Sequence, residues 1–355
     1  MIQVIKQWFH RYFSDPQAVL LVALLVSCFT ILITMGKMLV PVLASIVIAY
    51  LLEGLAGNLQ RWRFPRWLAV SIVYFAFITL LVFIIFILFP LLSNQLSQLI
   101  QELPTMLTRG QELLERLPER YPEFISIEQI NSMISSIRYS VRNAGQTFLS
   151  ASIASIPVII SLLIYLILVP LLVFFFMYDK TVLMNWFADF LPKERHTASK
   201  LWQEMDLQMG NYVRGKVYEI FIIGTFTYIA FALMGLNYAS LLAFLVGISV
   251  IIPYIGAVVV TIPVVIVAYF QWGWGSEFFW LITIFGILQA FDGNILVPLL
   301  FSEAVNLHPV AIIVAVLVFG GLWGFWGIFF AIPLASLVKA VLQIWPRTTT
   351  TDNLA

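Results

Sequence analysis

Apolar runs long enough to cross a membrane recur from one end of this sequence to the other. Such runs are typical of transmembrane helices, because the hydrocarbon core of a bilayer takes about 20 helical residues to span. Hydrophobic residues make up 61% of the chain and charged residues 10%, whereas soluble domains are about 25% charged. The sequence therefore predicts an all-α polytopic protein of the lipid bilayer with about seven or eight hydrophobic segments, and it excludes a water-soluble globule.

The start of the chain predicts a helical hairpin. Apolar run 18–35 is followed by Gly36-Lys37, which we expect to form a turn, and a second apolar run covers 38–55. The next loop, 57–67, holds three arginines and no acidic residue, which places it in the cytoplasm by the positive-inside rule. The N-terminus is expected on the same side, together with the C-terminus.

Changes in composition predict four regions. They are N-terminal transmembrane helices (1–92), an extramembrane region of amphipathic helices (93–154), a transmembrane transport core (155–342) and a cytoplasmic tail (343–355). The apolar run 68–92 leads outward from the arginine-rich loop, so region 93–154 is expected on the non-cytoplasmic side. A solvated helical cap is the simpler interpretation of this region, and a domain that collects substrate or binds a partner is the alternative. In the core, a charged stretch predicts a cytoplasmic amphipathic helix at 193–210, ahead of a span at 217–235.

Two apolar segments in the last third have a length that fits neither one span nor two. Segment 239–270 has 32 residues and segment 308–342 has 35. As single helices they would be about 48–52 Å long, against a hydrocarbon core of about 30 Å. Helix-breaking residues interrupt each segment near its middle, at 252–256 and 320–327. Two short helices joined by a re-entrant turn fit this length, and two long, tilted, kinked helices are the alternative.

The same two segments form a weak internal repeat. A shift of 70 positions aligns Ile262-Pro263 with Ile332-Pro333 and sets one central break against the other. If both segments are hairpins, they enter the membrane from opposite sides. Inverted units with interrupted helices are how many secondary transporters build a binding site near the middle of the membrane.

The sequence holds no recognisable catalytic, cofactor or metal motif. Residues 210–217 match G-x4-G-K, but Val217 stands where a P-loop needs Ser or Thr, so we place Arg214 and Lys216 at the cytoplasmic end of a span instead. The three histidines are far apart, and the single cysteine, Cys28, lies in an apolar run. A net charge of +1 leaves no basic footprint for nucleic acid. We therefore expect no enzyme, no cofactor and no metal site.

Polar residues inside apolar sequence are the candidates for a transport site. Asp292, Gly293 and Asn294 interrupt the apolar run 278–300, with Gln289 one turn earlier. A carboxylate near the bilayer centre costs about 2.5–3.5 kcal/mol on insertion scales, so Asp292 is expected to face a polar cavity or a partner. A structural hydrogen-bond clamp between helices is the alternative.

Four further polar residues give a weaker signal. Glu303, Asn306 and His308 are interpreted most simply as an interfacial loop, although a histidine titrates near neutral pH and could carry a proton. Glu53 is expected to form an interfacial ion pair with Arg61.

Six short motifs follow one another in the second half of the chain. They are Tyr212-Val-Arg-Gly-Lys216, Pro253-Tyr-Ile-Gly256, Asp292-Gly-Asn-Ile-Leu-Val-Pro298, Asn306-Leu-His-Pro309, Gly320-Gly321 and Ala331-Ile-Pro-Leu-Ala335. In these motifs the chain resembles the autoinducer-2 exporter (AI-2E) family of permeases, and the resemblance extends over most of the sequence. It implies an inner-membrane bacterial transporter that forms a homo-oligomer. Some relatives are associated with export of autoinducer-2, and others with sodium or lithium/proton antiport.

Together these observations predict a permease that moves a small solute across the bacterial inner membrane without ATP hydrolysis. A cation/proton antiporter with Asp292 as the proton carrier and a non-transporting membrane scaffold are the alternatives. The site is expected where the breaks at 252–256 and 320–327 meet the Asp292 turn. The residues expected to line the substrate pathway or to gate it are Pro253, Tyr254, Gly256, Asp292, Gly293, Asn294, Pro298, His308, Pro309, Gly320, Gly321 and Trp323.

Overall fold

Helices make up every regular element in the described part of the chain. The computed structural model describes residues 16–115, 156–189, 196–301 and 307–344, together with five single positions between 132 and 143. In chain order the helices are α1 (Pro16–Arg61), α2 (Arg66–Phe83), α3 (Phe89–Glu115), α4 (Ile156–Tyr178), α5 (Lys180–Asp189), α6 (His196–Leu233), α7 (Ala239–Ser249), α8 (Ile255–Trp272), α9 (Ser276–Phe291), α10 (Val297–Phe301), α11 (Pro309–Trp323), α12 (Phe325–Phe329) and α13 (Ala331–Ile344). Turns of π-helix at Ile84–Leu88 and Asp292–Leu296 join α2 to α3 and α9 to α10.

The predicted multi-pass helical fold is confirmed. Five helical segments of the described chain are long and apolar enough to cross a membrane, and the pair α4–α5, bent by 79°, makes up to six. Three shorter apolar helices, α7, α11 and α13, come from the two long segments of the last third.

Helix α1 is continuous, so the predicted hairpin at Gly36-Lys37 is wrong. The helix runs from Pro16 to Arg61 for 46 residues without a turn. A lone glycine costs a helix only about 1 kcal/mol, which does not stop it between two strongly apolar stretches, and Gly36 also packs against the Trp323 ring. Because α1 does not reverse, its two ends lie at opposite ends of the molecule. This removes the basis for placing the N-terminus beside the arginine-rich loop.

Two other helices run through predicted boundaries. Helix α3 continues the span of α2 as far as Glu115, with no break at 92–93. The rest of the predicted cap lies outside the described residues, apart from the five single positions. Helix α6 joins the predicted amphipathic helix 193–210 and the predicted span 217–235 into one element. The middle of α6 is buried in the bundle, where Tyr212, Lys216 and Glu219 are each less than 5% exposed.

The loop between α1 and α2 marks one end of the molecule, which we call the arginine end. There Glu53 of α1 forms ion pairs with Arg66 of α2 and Lys180 of α5, each at 3.4 Å. Arg66 also donates a hydrogen bond to the Met177 carbonyl oxygen, at 3.0 Å. Glu53 therefore forms an ion pair, as expected, but its partners are Arg66 and Lys180 and not Arg61. These contacts tie α1, α2, α4 and α5 together at this end.

The segment 239–270 folds back on itself, and we call helices α7 and α8 the first hairpin. The Asn237 backbone N–H donates to Gln271 Oε1, and Gln271 Nε2 donates to the Gly235 carbonyl oxygen, both at 2.7 Å. The residues that lead into α7 therefore lie beside the end of α8. The tip of this hairpin is the turn 250–254. The hairpin that the segment length predicts is present.

Helices α11 to α13, the segment 309–344, form the second hairpin. Ala315, Val316 and Phe319 of α11 pack with Ala331 at the start of α13 in one buried cluster. The reversal occurs at Gly324, with φ 59° and ψ −132°, a conformation that only glycine adopts readily. Short helix α12 completes the tip, which we define as residues 323–330.

The two hairpins enter the bundle from opposite ends, as the weak repeat predicts. The first is rooted against α3, where Gln95 Oε1 accepts a hydrogen bond from the Leu241 N–H at 2.8 Å. Gln95 lies about 43 Å along a continuous helix from the arginine end. The second hairpin ends toward the arginine end. Ala340 of α13 packs on Met205 of α6, and the adjacent Asp206 carbonyl oxygen accepts a hydrogen bond at 2.9 Å from Tyr50, about three turns from the end of α1.

Candidate functional site

The two hairpin tips meet in the middle of the bundle. Ile252 of the first tip packs against the cluster that contains Phe319 and Ala331 of the second hairpin. Ile251 belongs to a second buried cluster with Phe329 and Ile332. The structure therefore brings together the breaks at 252–256 and 320–327, as expected from sequence.

Each hairpin depends on one glycine at an unusually close approach between its two helices. A Cβ placed on Gly256 would lie on the Ser249 carbonyl oxygen, and a Cβ on Gly327 would lie on the Phe319 carbonyl oxygen. Ser249 and Phe319 are 70 positions apart, and the two glycines are 71 apart. The 70-residue register found in the sequence thus relates equivalent close contacts in the two tips.

Tyr254 holds a strained conformation at the first tip. Its φ is 62° and its ψ is −47°, and the Ile255 N–H donates to the Pro253 carbonyl oxygen at 2.7 Å across it. This is a γ-turn of the positive-φ form, which is rare and strained. Its side chain is 58% exposed, so burial does not hold it there. Strain of this kind concentrates at ligand clamps and switch regions.

Lys216 of α6 connects three elements beneath the first tip. Its Nζ lies 2.7 Å from Glu219 Oε2, and it donates a hydrogen bond to the Val250 carbonyl oxygen at 2.8 Å. It also lies 5.1 Å from the ring centroid of Phe301. The side chains of Lys216 and Glu219 are 5% and 2% exposed. The expectation that Lys216 lies at the cytoplasmic interface is therefore wrong, because the lysine is buried inside the bundle.

Tyr212 makes the corresponding contact with the second tip. Its hydroxyl donates a hydrogen bond to the Phe329 carbonyl oxygen at 2.8 Å. Its buried ring lies 5.6 Å from the Phe301 ring and 6.1 Å from the Phe329 ring, between centroids. Helix α6 thus contacts both tips through two side chains of one face.

Asp292 lies in the π-helical turn that joins α9 to α10. Its Oδ1 is buried and has no hydrogen-bond partner in the described part of the chain. It interacts electrostatically with Lys216 and with Glu219. A π-helical turn inserts an extra residue into a helix and re-aims the side chains near it, which is common at functional sites. Of the predicted polar residues, Asp292 is the one that joins the buried charged pair.

The neighbours of Asp292 do not join the site. Asn294 is exposed, and its Nδ2 donates to the Ala290 carbonyl oxygen of its own helix at 2.8 Å. Gly293 is exposed with open space beside it. Pro298 is exposed on α10. The structure therefore does not place these three residues around a common cavity.

His308 and Pro309 start helix α11, at the root of the second hairpin and not at its tip. The His308 Nδ1 accepts a weak hydrogen bond from the Val310 N–H at 3.3 Å, and Pro309 occupies the first helical position. Both are ordinary features of a helix start. Glu303 and Asn306 lie outside the described residues.

The remaining predicted residues belong to the second tip. A Cβ on Gly320 would lie 2.8 Å from the Ile328 side chain, whereas Gly321 faces open space. The ring of Trp323 stacks between Phe29 and Phe319, with centroid distances of 5.4 and 5.8 Å. Its Nε1 is buried without a hydrogen-bond partner among the described residues. Trp323 thus offers an unused donor next to the point where the tips meet.

The root of the first hairpin lies against α3. The Tyr238 phenol interacts there with the Glu102 carboxylate. Burial, and then the Glu102 carboxylate, raise the pKa of Tyr238 to about 12. The first hairpin is thus bonded to α3 at its root, through Leu241 and Gln95, and to α6 at its tip, through Val250 and Lys216.

The sequence interpretation missed the buried pair Lys216–Glu219 and the role of Tyr212. A signal was present, because Glu219 is an acidic residue inside an apolar run and lies three positions after a lysine, a spacing that pairs side chains on a helix. Within the described residues, no group of three His, Cys, Asp or Glu side chains lies close enough to hold a metal ion.

Comparison with known proteins gives consistent matches over nearly the whole chain. Residues 17–347 match the sequence model of the family described as "AI-2E family transporter". "Putative permease PerM" of Escherichia coli K12 is 46% identical over 346 residues, covering 98% of both chains. "Putative transport protein YueF" of Bacillus subtilis is 26% identical over 84% of this chain and 82% of its own. "AI-2 transport protein TqsA" of E. coli K12 is 24% identical over 87% of this chain and 86% of its own.

Proposed function

This chain belongs to the AI-2E family of transporters, and we propose that it moves a small solute across the bacterial inner membrane by a secondary, ATP-independent route. The observation that carries the proposal is the pair of hairpins, which enter from opposite ends and contact each other at their tips. Secondary transporters use helices interrupted at mid-membrane to hold a solute and to expose it to one side at a time.

Helix α6 supplies the fixed element of this mechanism. Lys216 holds the first tip through the Val250 carbonyl oxygen, and Tyr212 holds the second through the Phe329 carbonyl oxygen. Release of one tip opens the site toward one end of the molecule while the other tip stays closed. The start of α8 places the positive end of a helix dipole at the first tip, which suits a polar solute.

Flux measurements in proteoliposomes test the proposal. Autoinducer-2 is the first solute to try, because the relative TqsA is named as its transport protein. We expect uptake that saturates with concentration, needs no ATP and is absent from protein-free vesicles. The double variant Lys216→Met/Glu219→Gln removes the bond to the first tip without leaving Glu219 as a buried unpaired charge, and it should carry none. Equal flux in this variant and the unmodified protein would contradict the role of the tips.

Cation/proton antiport is the second candidate, and Asp292 favours it, because its buried Oδ1 has no hydrogen-bond partner in the described chain. A carboxylate beside the buried Lys216–Glu219 pair could exchange a proton for a cation. Vesicles with an imposed pH gradient should then accumulate radioactive sodium, and Asp292→Asn should abolish the accumulation. Normal assembly with no flux of autoinducer-2, sodium or any solute found by thermal-shift screening would favour a membrane scaffold instead.

The orientation in the inner membrane is part of the same proposal. We place the arginine end in the cytoplasm, since its loop carries three arginines and no acid. Helix α3 then points outward, and its exposed Glu112 lies on the non-cytoplasmic side. A Glu112→Cys protein in a Cys28→Ala background should react with an impermeant maleimide added to intact cells. Reaction only after permeabilisation would reverse this topology. The homo-oligomer implied by the family is tested by the mass of the solubilised complex.

A further inference from the structure

Three buried polar atoms without hydrogen-bond partners lie along the contact between α6 and α9. They are Thr227 Oγ1 on α6, Gln289 Nε2 near the end of α9 and Asp292 Oδ1 in the π-helical turn. A buried polar group without a partner is costly in an apolar environment. Three such atoms, each from a different chemical group, follow one another along a single helix contact, and each can bind a ligand there.

Thr227 differs from other threonines in the helices of this protein. Six of them donate their hydroxyl to the carbonyl oxygen four residues earlier, which satisfies the donor without a ligand: Thr30, Thr34, Thr79, Thr108, Thr261 and Thr283. Thr227 is 0% exposed, yet its hydroxyl makes neither this bond nor another within the described residues. Its hydroxyl is therefore available to a molecule in the contact between the helices.

The pairing of α6 with α9 puts Thr227 opposite Gln289. The ring of Phe231 on α6 lies 5.9 Å from the ring of Phe285 on α9, between centroids. Thr227 is four positions before Phe231, and Gln289 is four positions after Phe285. Residues four apart lie on the same helix face, and the helices are antiparallel, so the next turn brings Thr227 and Gln289 to the same level.

The same register continues to the charged pair. Toward the arginine end of this contact, Gly215 of α6 packs against the ring of Phe301. A Cβ placed on Gly215 would lie 2.7 Å from that ring. The π-helical turn lies between the Phe231–Phe285 contact and the Gly215–Phe301 contact. It carries Asp292, which interacts electrostatically with Lys216 and Glu219. The polar groups therefore follow one another along the helix contact, from Thr227 through Asp292 to Lys216, which bonds to the first tip.

We infer that the α6–α9 contact is a hydrated site, which binds water and forms the aqueous limb of the solute pathway leading to the hairpin tips. The site offers a hydroxyl, an amide N–H and a carboxylate oxygen, so it both donates and accepts hydrogen bonds, as a buried water requires of its partners. A solute that passes through the site displaces this water, and its own polar groups then form hydrogen bonds with the same side chains. The inference rests on the proposed transport function and specifies where the pathway runs.

Cysteine accessibility tests the inference without any knowledge of the substrate. Thr227→Cys and Gln289→Cys are made separately in a Cys28→Ala background and reconstituted. The probe is a small, positively charged methanethiosulfonate, which reacts with a thiolate in contact with water. The matched control is Val264→Cys on α8, outside the proposed site, 0% exposed and packed in an apolar cluster.

Both test cysteines should react at least about tenfold faster than the control, because a thiol in apolar surroundings keeps its proton and is inert. Equal protection of Thr227→Cys and Val264→Cys would overturn the inference and leave a dry contact in which the polar groups satisfy one another. Thr227→Cys is nearly isosteric, so it carries the test if Gln289→Cys does not fold.

A second measurement uses the unmodified protein. Hydroxyl radicals generated from water by X-ray exposure oxidise side chains next to bound water. Phe231 and Phe285, which flank the site, should be oxidised more than Phe278, which is similarly buried elsewhere on α9. Equal oxidation of the three would also count against a hydrated site. Neither measurement needs flux: labelling without flux contradicts the proposed function alone, and flux with a dry contact contradicts this inference alone.

Discussion

Tyr212 and Lys216 lie one turn apart on α6, and each donates a hydrogen bond to a backbone carbonyl oxygen in a different hairpin tip. The Tyr212 hydroxyl bonds to Phe329 of the second hairpin, and the Lys216 ammonium bonds to Val250 of the first. Backbone carbonyls at a chain reversal have no helical partner, so these side chains satisfy groups that the tips leave open. One helix face thus couples two elements that enter from opposite ends.

Lys216→Met should destabilise the protein and abolish transport. The substitution removes the bond to the Val250 carbonyl oxygen and leaves Glu219 buried without its partner. Breaking a buried ion pair by removing one member costs about 3–5 kcal/mol. Thermal unfolding of the solubilised protein measures the loss. The double variant Lys216→Met/Glu219→Gln should recover much of the stability but not the flux. If the double variant transports normally, Lys216 serves folding alone.

Tyr212→Phe should loosen the second tip while keeping its packing. The variant retains the ring contacts with Phe301 and Phe329 and loses only the hydroxyl, so the Phe329 carbonyl is left unpaired at a cost of about 1–3 kcal/mol. We expect a lower unfolding temperature and an altered rate of flux. Tyr228→Phe is the matched control, because Tyr228 is on the same helix and is 46% exposed. Equal effects of the two variants would show that the hydrogen bond is unimportant.

Gly256→Ala and Gly327→Ala should each prevent the hairpins from closing. In both cases the added Cβ meets a backbone carbonyl oxygen, which cannot move aside as a flexible side chain would. Overpacking costs about 1–3 kcal/mol even where side chains yield, so we expect losses at or above that range in thermal unfolding. Gly286→Ala, where no atom lies within 4 Å, should be neutral. Tolerance of alanine at both tip positions would mean that the hairpins are not closely packed.

The hairpins were predictable from sequence because segment length and the position of Gly and Pro are local properties. Segments 239–270 and 308–342 are too long for one span, and the breakers at 252–256 and 320–327 lie near their middles. The continuity of α1 was not predictable in this way. Whether a single glycine ends a helix depends on what packs against it, and the Trp323 ring that lies against Gly36 is 287 positions away.

The charged pair was missed for a related reason. Lys216 follows a charged stretch and precedes an apolar one, so its position in the sequence resembles that of an interfacial anchor. Only the partners supplied by other elements, the Val250 carbonyl oxygen and the Phe301 ring, make it a buried residue. Asp292 could be singled out from sequence because a carboxylate in an apolar run is exceptional by itself, whereas the orientation of Asn294 away from it depends on the π-helical turn.

Tyr238 should make stability depend on pH in the alkaline range. Its pKa is raised in the folded protein from the ordinary value of 10.0 to about 12, so folding favours the neutral phenol. This contribution is fully present below about pH 10 and is lost as the pH rises toward 12. The unfolding temperature of the unmodified protein should fall more steeply across that interval than that of Tyr238→Phe. Parallel curves for the two proteins would show that the root of the first hairpin is insensitive to this tyrosine.

Asp292→Asn should insert and assemble normally but lose transport. The substitution is nearly isosteric and keeps hydrogen-bonding capacity while removing the charge. A structural clamp could be built from an amide, which is cheaper to place in a membrane than a carboxylate by insertion scales, where the acid costs about 2.5–3.5 kcal/mol. The Asp292 Oδ1 has no protein partner in the described chain, and the carboxylate interacts with both Lys216 and Glu219. Lys216 and Glu219 face Asp292 from α6. The three groups therefore titrate as a coupled set, and any pH dependence of flux reports on all three.

The comparison that decides the role of Asp292 is flux against pH in Asp292→Asn and in Asn294→Ala. Asn294 is two positions away, exposed and bonded to its own helix, so its loss should leave both stability and flux close to those of the unmodified protein. If Asp292 carries a proton or binds the solute, its variant alone loses flux or the dependence of flux on pH. Unchanged flux at every pH in a normally assembled Asp292→Asn protein would assign the carboxylate to helix packing and would remove the main support for proton coupling.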